Sequence, residues 1–237
     1  MYQRRPTGTP QERNREVPMS DVGGSRPTAD TEVQLTPLRK GVSLTGSVES
    51  VVGATLADSR LVVRPDAPHL AQAWAIKAGD RVEVFWRELG VGLALPTTVE
   101  AVLSEDDACW QLRVTGPAER SQRRQAVRAG VQVPIRVHVA GTDTVGETAD
   151  LSEAGCRVLV DGWGLPPEPG LPAEIALDLE DGELIAPARV VRVLVRGARW
   201  WISLALTNPS EQTRDRLRRR VFAELRAERA RQADADE

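Results

Sequence analysis

Arg120-Ser121-Gln122-Arg123-Arg124-Gln125-Ala126-Val127-Arg128 lies near the middle of the 237-residue chain, between two halves that both read as β. Four arginines stand here against the neighbouring Glu119, in a chain whose net charge is −3. A basic knot in a mildly acidic protein points to a local anion site, not to a broad polyanion-binding face. Arg124 and Arg128 form an R-x-x-x-R pair with Arg123 directly in front. Arginine presents a planar fork of donors that grips an oxyanion with two parallel bonds. Taken alone, such a pair is most often just a solvated linker.

Outward from this knot, one strand separates it from Asp150-Leu151-Ser152-Glu153-Ala154-Gly155. This segment supplies a carboxylate acceptor, a small hydroxyl donor and a residue without Cβ at i, i+2 and i+5. Its structural alternative is a Ser or Asx turn joining two strands.

Together and in this order, the two motifs resemble the signature of the PilZ family, receptor domains for cyclic di-GMP: R-x-x-x-R, a strand, then D/N-x-S-x-x-G. The resemblance covers residues 118 to 230. A looser one, resting on layout, links the preceding segment to the amino-terminal barrel of YcgR-like proteins. Its marks are Leu112-Arg113-Val114-Thr115-Gly116-Pro117 followed by Gln122-Arg123-Arg124. The resemblance implies that cyclic di-GMP contacts Arg123, Arg124, Arg128, Asp150, Ser152 and Gly155. Arg124 and Arg128 would grip phosphates and guanine edges, and Arg123 would stack or add a further contact. Asp150 would accept from guanine N–H groups, Ser152 would bond phosphate, and Gly155 would permit close approach of the ligand.

The expected fold class is all-β: two small antiparallel β-barrels in tandem, with a C-terminal helix and a disordered N-terminal tail. The assigned segments are 1–37 for the tail, 38–117 for the first barrel, 118–230 for the PilZ domain with its helix, and 231–237 for a frayed end. Frequent glycine and proline, with valine and leucine carrying the core, favour strands separated by turns. In the first barrel the strands are expected at Val42–Val48, Arg60–Arg64, Arg81–Arg87, Gly92–Leu103 and Cys109–Val114. In the second they fall at Val131–Val139, Thr144–Ala149, Cys156–Val160, Ala173–Leu179, Glu183–Val195 and Arg199–Leu206. Pro134 suggests an edge strand or a bulge. Asp181-Gly182 is the strongest hairpin signal. One of Trp200 and Trp201 should point inward and the other outward. A helix opens at Asn208-Pro209-Ser210, with Pro209 in its first turn and an apolar stripe of Leu217, Val221, Phe222 and Leu225. That stripe packs on the barrel or pairs with a second copy, so a homodimer stays open.

Other function classes lack parts. Cys109 and Cys156 form no C-x-x-C, and His69 and His138 are the only histidines. Metal, disulfide and His-dependent chemistry are therefore not expected. No P-loop or nucleophile elbow appears, so the chain does not read as an enzyme. Arg218-Arg219-Arg220 are interleaved with Glu211, Asp215, Glu224 and Glu228, which reads as a solvated helix and not a nucleic-acid patch. The start is rich in Arg, Pro and Thr with no apolar run, and no stretch approaches the ~20 apolar residues of a membrane span. The expected location is the cytoplasm. The leading expectation is a cyclic di-GMP receptor with no cofactor, which rearranges its domains to signal to a protein target. The alternative is a PilZ-like interaction module that does not bind nucleotide.

Overall fold

The computed structural model describes residues 25–103, 109–121, 128–162 and 164–235. Strands dominate, and their order shows two closed rings. The first contains β1 (Glu32–Pro37), β2 (Ser43–Val52), β3 (Arg60–Pro65), β4 (Arg81–Glu88), β5 (Val91–Val102) and β6 (Trp110–Val114). Its hydrogen-bonded order is β1-β4-β5-β6-β3-β2, and β1 pairs with β2 to close it. The short β7 (Glu119–Arg120) adds to β5. The second ring contains β8 (Pro134–Val139), β9 (Thr142–Ser152), β10 (Gly155–Asp161), β11 (Pro172–Leu179), β12 (Gly182–Arg196) and β13 (Arg199–Leu206). Its order is β12-β11-β8-β9-β10-β13, closed by β12 pairing with β13. Every pairing within a ring is antiparallel.

Period-two patterning drives this closure. In β8 the polar Pro134, Arg136 and His138 face out, while Ile135, Val137 and Val139 are buried. A ring leaves no edge to aggregate. Two-residue turns join several strands. Leu89-Gly90 and Ala140-Gly141 both take positive φ at both positions, the geometry that suits tight hairpins. The Asp181-Gly182 hairpin is present, with the turn at Glu180-Asp181 and Gly182 already paired to Leu179.

Several expectations need correction. The tail assigned to residues 1–37 ends earlier: Glu32–Pro37 is β1, pairing with both β2 and β4. Its alternating Val33, Leu35 and Pro37 are buried, so this short strand is what closes the first ring. Upstream, Arg26 donates to the Gly53 carbonyl (2.9 Å) and to Ser59 Oγ (2.5 Å). A short helix, α1 (Pro68–Ala73), was not expected; it carries Pro in its first turn and buries Leu70 and Ala71. Pro134 marks neither an edge nor a bulge, because β8 lies between β9 and β11; Pro is tolerated there as the strand's first residue. The hairpin connection expected at Ser104–Asp107 lies outside the described residues.

The C-terminal helix α2 spans Glu211–Ala235, past the expected end at residue 230. Ser210 caps it, its Oγ accepting from Thr213 N–H at 3.1 Å, so Pro209 precedes the helix and is not in its first turn. Leu217 and Val221 are buried, whereas Phe222 is 50% exposed. Phe222 follows Val221 by one position, a rotation of about 100°, which carries it off the packed stripe. Arginines fasten the helix to the barrel. Arg216 takes both carboxylate oxygens of Asp181 (2.7 and 3.0 Å), which lowers that carboxyl's pKa. Arg218 reaches Glu153 Oε2 at 2.5 Å.

The two rings share one parallel contact, Leu194↔Ser43 and Val195↔Leu44 between β12 and β2. Arg192 reinforces it: Nη2 donates to Gln34 Oε1 (2.6 Å) and to Ser43 Oγ (3.2 Å). Arg196 pairs with Glu32 at 3.4 Å. The barrels therefore meet through a short ladder and a few polar bonds. Arg192→Ala should remove bonds to both Gln34 and Ser43, weakening the contact by about 1–2 kcal/mol. Small-angle scattering would then show a larger radius of gyration, with each barrel's circular dichroism unchanged.

Candidate ligand site on the second barrel

The site is built on the β9–β10 hairpin. Ser152 pairs with Gly155 across the two-residue turn Glu153-Ala154, and this register sets Asp150 opposite Arg157. A register shift between Arg157 and Val158 then leaves Ala149 as a bulge, bringing Thr148 opposite Val158. Asp150 was expected in a loop. It lies instead in β9, on a strand that holds its direction firmly.

Ahead of β8, residues 129–133 are clamped onto β9. Ala129 and Leu151 exchange both backbone bonds (3.2 and 3.0 Å). Thr148, 1% exposed, donates from Oγ1 to the Val131 carbonyl (2.5 Å) and accepts from Val133 N–H (3.0 Å). This clamp fixes the chain where Arg128 leaves the connector. Arg128 Nη1 donates to Asp150 Oδ1 at 3.0 Å. Arg157 Nε lies 2.8 Å from the other oxygen, Oδ2. That second pair is an ion pair without a hydrogen bond, since the Nε–H direction does not meet an acceptor. The guanidinium of Arg157 also rests 5.0 Å from the centroid of the Trp201 ring. Trp201 is the outward tryptophan and Trp200 the buried one.

The structure therefore brings Arg128 and Asp150 together. Arg123 and Arg124 lie outside the described residues. Ser152 is 2% exposed, and its Oγ donates to the Gly155 carbonyl at 3.0 Å. Gly155 has φ +154°, and a Cβ there would overlap the Leu204 carbonyl oxygen of β13. The missing Cβ lets β10 close on β13 at this point. Beside it Cys156 is fully buried, and burial together with the Asp150 carboxylate pushes its thiol up to about 12. It stays a protonated, inert thiol. Among the described residues no group of three or more His, Cys, Asp or Glu could hold a metal ion, and no helix is long and apolar enough to cross a membrane.

Sequence reading missed Arg157 and Thr148. Arg157 was legible in principle: a two-residue turn at Glu153-Ala154 places it across from Asp150 by counting. Thr148 gave no signal, because its task depends on the bulge.

Residues 122–223 match the PilZ domain family, so this part of the chain is a PilZ domain. No curated protein matches the chain. Among solved structures it is similar to YcgR from Escherichia coli in complex with c-di-GMP, at 17% identity and TM-score 0.49, covering 88% of this chain and 89% of that one. It is also similar to the Bacillus subtilis inhibitor of motility MotI/DgrA, at 13% identity and TM-score 0.42, covering 85% and 98%. A third is the PilZ domain of CeSA from a cellulose-synthesizing bacterium, at 28% identity and TM-score 0.34, covering 41% and 96%.

Two stability measurements follow from the hairpin. Gly155→Ala should destabilise the second barrel by about 2–4 kcal/mol, combining backbone strain with overpacking against β13. Thr148→Val keeps the shape but strands Val133 N–H and the Val131 carbonyl, costing about 2 kcal/mol. Urea denaturation followed by tryptophan fluorescence checks both.

Proposed function

We propose that the protein is a cyclic di-GMP receptor whose ligand binds the PilZ barrel at Arg123, Arg124, Arg128, Asp150, Ser152 and Gly155. The observation that carries this reading is the convergence of Arg128 and Asp150. They come from the two halves of the motif, 22 residues apart, and meet at 3.0 Å. A carboxylate next to fork-shaped cations suits a ligand that is both a diester dianion and a guanine base: the arginines take phosphate oxygens and the O6/N7 edge, and the carboxylate takes base N–H groups.

The connector gives the reading its consequence. At one end Ser121 N–H bonds the Gly92 carbonyl of the first barrel (2.9 Å). At the other, Ala129 is bridged to Leu151 of the second. Residues 122–127, with Arg123 and Arg124, run between these anchors. Neutralising their like charges with a dianion removes their mutual repulsion and holds the segment in one arrangement. Because its ends belong to different barrels, binding biases how the barrels sit. The ligand shifts that balance only by its differential affinity for the two arrangements. The short β2–β12 ladder is small enough to be remade in such a shift. A cytoplasmic protein target would read the change; the protein acts as a receptor and not as an enzyme.

The second reading is a PilZ-like interaction module without nucleotide binding. It draws on Asp150 and Ser152 already having partners inside the protein. Isothermal titration with cyclic di-GMP separates the two. Arg124→Ala and Arg128→Ala should each weaken binding about 30- to several-thousand-fold while the fold persists, the loss expected when one partner of a desolvated charge pair is removed. Affinity unchanged in both variants would defeat the assignment of the site.

A further inference from the structure

Arg157 belongs to neither half of the motif, yet it occupies the centre of the site. Its guanidinium sits against the Asp150 carboxylate (2.8 Å) and over the Trp201 ring (5.0 Å to the centroid). These two surroundings are what a guanine base asks for. The Watson–Crick edge of guanine carries N1–H and N2–H side by side, an amidine-like donor pair on a flat π-system. A carboxylate satisfies that edge, and an aromatic face stacks on that plane. A planar guanidinium, that of Arg157, holds both positions.

Resting on the receptor reading above, we propose that Arg157 is an internal competitor. It mimics guanine at the base subsite formed by Asp150 and Trp201, and so sets the affinity for the ligand. Arg128 and Arg157 share Asp150 unequally. Arg128 makes a formed hydrogen bond, whereas Arg157 has charge proximity alone, its Nε–H buried without an acceptor in line. A base with in-plane N–H donors makes a better partner for Oδ2, so Arg157 is the group that yields. Its side chain is 39% exposed and has open solvent to swing into. Apparent affinity falls by the fraction of molecules in which the subsite is open, so removing the occupant raises it.

The experiment is titration of the full chain with cyclic di-GMP, comparing wild type with Arg157→Ala and Arg157→Lys. Arg157→Ala should bind about three- to tenfold tighter, the recovery of a subsite open in a minority of molecules. Arg157→Lys keeps the charge but lacks the planar fork, and should fall between the two. Cyclic di-AMP, whose base lacks the N1–H and N2–H pair, should gain nothing from either change, which a general loosening of the barrel would not reproduce. Thermal melting establishes that the variants fold; Arg157→Gln replaces the alanine variant if that one does not. Wild-type binding with equal or weaker binding in the variants overturns the competitor and leaves the receptor standing. No cyclic di-GMP binding by wild type or variants overturns the receptor reading, and the competitor with it.

Discussion

The approach of β10 to β13 at Gly155 is the constraint on which the second barrel and its site both depend. The Leu204 carbonyl lies where a Cβ would be, so only glycine lets the two backbones close at that point. Fixing Gly155 fixes the two-residue turn before it, and the turn fixes the register. Register then decides what meets what: Ser152 seals the hairpin, Asp150 faces Arg157, and Glu153 at the tip is left to receive Arg218 from α2. Gly155 makes room for a neighbouring strand. Through the register it also aims the Asp150 carboxylate.

Around that carboxylate the charges are arranged with economy. Asp150 is largely buried, and a buried carboxylate needs partners for its oxygens. Arg128 and Arg157 meet the need from opposite sides while remaining partly exposed themselves. Other carboxylates of the second barrel are engaged in the same way: Arg216 pairs with Asp181 and Arg218 with Glu153.

Much of this was legible from the residues. Period-two alternation located eleven of the strands, because a barrel wall with one wet face must alternate. The family resemblance also grouped Arg128 with Asp150, which the structure pairs at 3.0 Å. What escaped had local reasons. Glu32–Pro37 is short and follows a polar, proline-rich run, so its alternation of Val33 and Leu35 was swallowed by the composition around it. Pro68–Ala73 is a single helical turn and a half, too short for a 3.6-residue period to emerge. Phe222 was assigned to the packed stripe from spacing alone, although adjacent positions on a helix point about 100° apart. Thr148 depends on a bulge, and no bulge is visible before the partner strand is known. Arg123 and Arg124 were singled out by sequence and lie outside the described residues.

The two barrels are joined twice, and the two joins differ in kind. One is the covalent connector, anchored at Ser121 on the first barrel and at Ala129 on the second. The other is the parallel ladder of β2 and β12, with Arg192 bonded to Gln34 and Ser43. A single join would leave the barrels free to swing whatever the connector did. Two joins make a closed loop of contacts, in which tightening one strains or relieves the other. The ladder's two paired positions and few polar bonds make the second join a small one. A more extensive ladder would hold the barrels more firmly, and a bare linker would hold them less.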